Sequence, residues 1–167
     1  MPASIKAKLS NIAKSQNRSF DEILTMYMME RLVYRLSHSR YNKSFVLKGG
    51  LLLYVLLGDP FRTTKDIDLL AKQLTNATED IMTVFQEICK LEVDDGIKYT
   101  TDAIEILRIN EDADYEGVRV LISCHLGQAR KRLQIDIGYG DVIIPKPFVL
   151  EYPTILDMPR PVMQLTQ

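Results

Sequence analysis

Hydrophobic periodicity divides the chain into a helical first part and a strand-rich second part. From Ile5 to about Ser15 the pattern is polar and weakly helical. Ser19 followed by Glu22 is a capping-box arrangement. Phe20, Ile23, Leu24, Tyr27, Met28, Arg31, Leu32 and Leu36 then recur at helical spacing, which predicts an amphipathic helix from Phe20 to about Ser37 with its methionines in the core. Ser44 to Lys48 reads as a short strand that Gly49-Gly50 breaks. Leu51 to Leu57 suits a buried helix, stopped by Gly58-Asp59-Pro60. Asp66 to Leu70 has strand character, and Ala77 to about Leu91 reads as a helix with Ile81, Val84, Phe85 and Ile88 on one face.

Beyond that helix the period changes. Ile97 to Ile109, Gly117 to His125 and Arg132 to Tyr139 alternate or carry β-branched runs and read as three strands. The polar turn Asn110 to Glu116 joins the first two as a hairpin. The tail from Pro145 to Pro161 is rich in proline and reads as an extended arm. The predicted fold class is α+β, a small mixed β-sheet packed with helices. Residues 1–40 form N-terminal helices, 41–145 the core and 146–167 the arm of one domain.

Composition narrows the function classes. A chain of 167 residues with 46% apolar and 26% charged residues can build an ordinary core. A net charge of −1 gives no global grip on nucleic acid or membrane. The run QARKRLQ (Gln128 to Gln134) is the local basic exception, and its plain reading is a solvated loop. Cys89 and Cys124 lie far apart without metal-ligand spacing and read as reduced thiols. His38 and His125 read as structural. No signal peptide is visible and LLLYVLL is too short to span a bilayer, so the expectation is a soluble, cytoplasmic protein with no membrane partner.

The candidate chemistry lies in FVLKGGLLLYVLLGDPFRTTKDIDLL. Residues two apart on a strand share a face, so Asp66 and Asp68 project together while Ile67 and Leu69 point to the core. Paired carboxylates repel unless a cation lies between them, and magnesium suits hard oxygen ligands. In LQIDIGYGD, Leu133, Ile135 and Ile137 form an apolar face and Asp136 points opposite. If that strand neighbours Asp66–Leu70, three aspartates meet, which can clamp two metals for phosphoryl-type transfer. Gly49 and Gly50, at a strand-to-helix turn, leave room and free N–H groups for a phosphate. Lys48, Arg62 and Lys65 add positive charge, and Thr64 a hydroxyl. Each feature alone has a plain structural reading: a tight turn for the glycines, surface charges for the acids. Asp141 reads as a loop acid capping the next segment.

The order Gly-Gly, helix, Asp-x-Asp and later strand Asp resembles the nucleotidyltransferase superfamily that includes DNA polymerase beta. More narrowly, ERLVYRLSHSRYNKSFVLKGGLLL, RTTKDIDLL, YEGVRV and LQIDIGYGDVIIPKP resemble the AbiEii/AbiGii toxin family of nucleotidyltransferases, from about Glu30 onward. The resemblance implies the polymerase beta-like fold and transfer of a nucleoside monophosphate from an NTP to an RNA acceptor, tRNA being the acceptor of some relatives. It implies Mg²⁺ (or Mn²⁺) as cofactor and a toxin role in a type IV toxin–antitoxin or phage abortive-infection system, with a cognate antitoxin as partner. Gly49 and Gly50 would then bind the triphosphate, and Asp66 and Asp68 the metal. Asp136 would be a third ligand or the base, Arg62 and Thr64 would support the site, and Lys48 would join it without an assigned role. In the family, the segment resembling YPTILDMPRP is followed by a helical C-terminal region with a nucleotide-contacting lysine. The expectation is therefore a C-terminally truncated member. Its alternative function is a catalytically incomplete nucleotide-binding or partner-binding fragment.

Overall fold

A computed structural model describes residues 2–48, 66–72, 74, 77–112, 115–139, 148–151 and 153–165. Three helices are described: α1 (Pro2–Gln16), α2 (Phe20–His38) and α3 (Thr78–Lys90). The capping box operates as the spacing predicts: the Ser19 side chain accepts the Glu22 backbone N–H at 3.1 Å. The strands are β1 (Phe45–Lys48), β2 (Asp66–Ala71), β3 (Ile97–Tyr99), β4 (Glu105–Asp112), β5 (Tyr115–Leu126), β6 (Ala129–Gly138), β7 (Phe148–Glu151) and β8 (Val162–Leu165). The helix expected over Leu51–Leu57 lies outside the described residues.

Among the described residues the strands form one mixed sheet in the order β3-β5-β6-β2-β1-β8-β7, with β4 also paired to β5. β5 and β6 form an antiparallel hairpin, whereas β2 lies parallel to β6 and β1 parallel to β8. The sheet has two unlike faces because its strands alternate. Ile67, Leu69, Ile135, Ile137, Val118 and Val120 are buried together with Leu9, Tyr27, Met28 and Phe85 of the helices. Burying each such aliphatic side chain stabilises the fold by roughly 1.5–3 kcal/mol. The intervening residues Asp66, Asp68, Gln134 and Asp136 are only half-buried, on the face away from the helices.

Three stretches depart from the sequence expectation. Ile97–Ile109 is not one strand: Thr101–Ala103 makes a 3₁₀ turn, so β3 and β4 pair with opposite ends of β5. The proline-rich tail is woven into the sheet, since β7 pairs with β8 and β8 adds to β1. The basic run Gln128–Gln134 is also mostly strand, forming the first half of β6. By contrast Cys89 and Cys124 are buried thiols, as expected.

Charged residues of α2 fasten these parts together. Arg35 makes a two-pronged pair with Asp95, at 2.7 and 3.0 Å, and its guanidinium lies 4.7 Å from the Tyr99 ring centre. Asp95 is fully buried and also accepts the Ile97 N–H, while the Tyr27 hydroxyl donates to its carbonyl. One turn earlier, Glu30 accepts from Arg31 and from the Ile155 N–H, and Arg31 donates to the Pro159 carbonyl. Burial pushes the Glu30 carboxyl up to about 7, although Arg31 and the Ile155 N–H pull it down.

Replacing Asp95 by alanine strands a buried guanidinium, a change expected to cost about 3–5 kcal/mol in urea unfolding. Pairing Asp95→Asn with Arg35→Met removes both charges together and should restore most of that loss.

Candidate active site

Parallel pairing of β2 with β6 sets Asp66 level with Gln134 and Asp68 level with Asp136. In-register neighbours on parallel strands lie on one face about 4.8 Å apart. The condition posed by the sequence is therefore met: the strand carrying Asp136 is the neighbour of the strand carrying Asp66 and Asp68. On the other side of β2, Lys48 of β1 stands opposite Asp68. On the other side of β6, Arg119 of β5 stands opposite Asp136. Four adjacent strands thus present Lys48, Asp68, Asp136 and Arg119 as one row with the charges plus, minus, minus, plus.

The right half of that row is tightly hydrogen-bonded. Arg119 Nε donates to Asp136 Oδ1 at 2.9 Å, and its Nη2 to Oδ2 at 3.2 Å. Gln134 Nε2 adds a donor to Oδ2 at 3.3 Å. The Asp136 side chain is 13% exposed and Arg119 35%. The bond to Asp136, and then the charges of Asp136 and Asp66, hold the Arg119 guanidinium above its ordinary value.

Three carboxylates on one face supply hard oxygen donors, the chemistry a magnesium or manganese ion requires. Among the described residues, no three such side chains are already arranged around a common ion position. Both Asp136 oxygens are committed to Arg119, so this carboxylate must turn or share before it can ligate. Asp66 and Asp68, two residues apart on β2, share this face with Asp136.

Of the other predicted residues, Gly49, Gly50, Arg62, Thr64 and Lys65 lie outside the described residues, as does Asp141. Arg119 was missed by the sequence reading. A signal for it existed: in YEGVRV it alternates with the buried Val118 and Val120, which aims it at the polar face. His38 stacks against Tyr34, with ring centres 4.2 Å apart, and His125 lies well down β5 from the acids.

This chain belongs to the AbiEii family: residues 31–166 match the family described as the nucleotidyl transferase AbiEii toxin of type IV toxin–antitoxin systems. Its fold is similar to that of JHP933 from Helicobacter pylori (TM-score 0.54, 21% identity), covering 89% of this chain and 53% of that one. A second H. pylori protein, described as a candidate nucleotidyltransferase, matches with a TM-score of 0.52 and 20% identity over 89% of this chain and 55% of that one. The chain therefore spans about half the length of these two solved structures. No curated protein is significantly similar to it. No described helix is long and apolar enough to cross a membrane.

Arg119→Ala leaves Asp136 beside Asp68 without its main counter-charge. The variant should lose about 1–2 kcal/mol of stability in EDTA at low salt. Chemical unfolding should show a smaller loss at 1 M salt, where the surviving repulsion is screened.

Proposed function

We propose that the open sheet face carries out metal-dependent nucleotidyl transfer from an NTP to an RNA hydroxyl, with tRNA as the acceptor class and growth arrest as the outcome. The observation that carries this reading is the in-register meeting of Asp68 and Asp136, with Asp66 two residues away on the same strand. Asp66 and Asp68 hold the ion, Mg²⁺ or Mn²⁺. When bound, it supplies charge neutralisation for the triphosphate and the reacting oxygens.

The chain's own residues do the rest. Asp136 accepts the proton of the acceptor hydroxyl as that oxygen bonds to the α-phosphorus and pyrophosphate departs. Arg119 fixes the direction of the Asp136 carboxylate, and Lys48 adds positive charge beside Asp68. Gly49 and Gly50 seat the phosphates, with Arg62, Thr64 and Lys65 in support. The toxin works in the cytoplasm, where nucleotides and tRNA are at hand, and is held in check by a cognate antitoxin.

Purified protein incubated with labelled NTPs, Mg²⁺ and total tRNA should transfer label. Asp66→Asn and Asp68→Asn should each reduce transfer at least ~100-fold, as expected for loss of a metal's charge stabilisation. Both should also weaken Mn²⁺ binding read by electron paramagnetic resonance. Wild-type activity in Asp66→Asn would remove the basis of the proposal.

A second reading is favoured by one observation: both Asp136 carboxylate oxygens are hydrogen-bonded to Arg119. It holds that the chain binds nucleotide without turnover. Calorimetry would then show Mg²⁺-dependent NTP binding with no labelled product.

A further inference from the structure

The face that carries the carboxylates continues along β5 and β6 toward their connecting turn, and its charge reverses on the way. Residues two apart on β6 keep to one face, so Asp136 is followed by Gln134, Arg132 and Arg130. Strand pairing sets Ser123 beside Arg132, His125 beside Arg130, and Lys98 of β3 beyond His125. Lys98, Arg130 and Arg132 are exposed and His125 is half-buried. The basic end lies about 20 Å from Asp136, six strand residues at roughly 3.3 Å each. A depression of about 470 Å³ lies there, lined by Thr100, Ser123, His125, Arg130 and Arg132 among others.

We propose that this stretch is the track along which the acceptor RNA lays its phosphate backbone, as a single-stranded end directed at Asp136. The proposal rests on the transferase reading and adds where the acceptor sits. Arg130 and Arg132 follow one another along β6 about 6.6 Å apart, and Lys98 stands level with Arg130 on the far side of β5. Exposed guanidinium and ammonium groups beside the Ser123 hydroxyl and the His125 ring are donors suited to the phosphates of a nucleic-acid backbone. Followed along β6, this face ends at the carboxylates, where the hydroxyl to be modified must arrive.

One acid interrupts the row. Glu105 pairs with Arg132 at 2.6 Å, with side-chain exposures of 57% and 50%. A pair so open to water contributes little, so a phosphate can replace the carboxylate on Arg132. Nearer Asp136, Leu107 of β4 stands opposite Arg119 and is 46% exposed, an apolar surface on which a base can rest. Lys131 also borders the depression, but its ammonium turns to the helix side, where it pairs with Asp21.

The test is fluorescence anisotropy of a labelled single-stranded RNA with the whole chain, without NTP and in EDTA, over 50–200 mM salt. Three phosphate contacts predict a slope of log K against log salt near about −2. Lys98→Ala with Arg130→Ala should weaken binding about tenfold or more at 50 mM salt and make the slope shallower by about 1.4. Lys131→Ala should bind RNA like wild type, and the double variant should keep the wild-type circular dichroism and melting profile. Equal binding and slope in the double variant would overturn the track. So would binding of wild type to phosphatidylserine vesicles but not to RNA.

Because neither metal nor nucleotide is present, the outcome is separable from the transferase reading. Loss of RNA binding in the double variant, alongside transfer insensitive to Asp66→Asn, retains the track and removes the proposed site. Full transfer with an unchanged KM for RNA in the double variant retains the site and removes the track.

Discussion

Two like charges forced to the same level of neighbouring strands are the constraint on which this site depends. β2 and β6 could relieve the repulsion between Asp68 and Asp136 by slipping one residue. A slip of β2 would turn Ile67 and Leu69 out to water and carry Asp66 and Asp68 into the core. Holding those two aliphatic side chains in the core is worth roughly 3–6 kcal/mol. Repulsion between two carboxylates about 5 Å apart amounts to roughly 1–3 kcal/mol at the dielectric of a protein surface. Burial wins, and the register is fixed at the acids' expense. Lys48 and Arg119, at the two ends of the same row, offset part of the strain.

Much of this was legible in the chain because alternation is a local property. The periods of β2 and β6 assign the faces of Asp66, Asp68 and Asp136 without knowledge of the fold, and Ser19 with Glu22 marks the start of α2. Which strands are neighbours is not local, and Asp136 becomes part of a row only through pairing that the sequence posed as a condition. The break at Thr101–Ala103 escaped for a related reason. β3 and β4 both have β-strand composition, and only their shared partner β5 shows that they are separate. Strands β7 and β8 were concealed by the surrounding prolines, which punctuate the tail without preventing short pairings at the sheet edge.

The buried charges of α2 were the hardest to anticipate. Arg31 falls at the apolar spacing of the helix, and Arg35 one turn later would ordinarily be placed in water. Their partners are a carboxylate at Asp95 and the carbonyl of Pro159, far away in sequence. No window of helical length can reveal them. These contacts also explain why a proline-rich tail keeps a fixed course: Glu30 and Arg31 grip it at Ile155 and Pro159, just before β8 joins β1.

The parallel pairing of β2 with β6 also governs when the row of charges can exist. Strand β5 can close on β6 through a two-residue turn, a local and fast event, whereas β2 must wait for a partner from much later in the chain. During synthesis, Asp66 and Asp68 are made before Arg119 and Asp136. The row of Lys48, Asp68, Asp136 and Arg119 therefore comes into being only when the second half of the sheet has docked on the first.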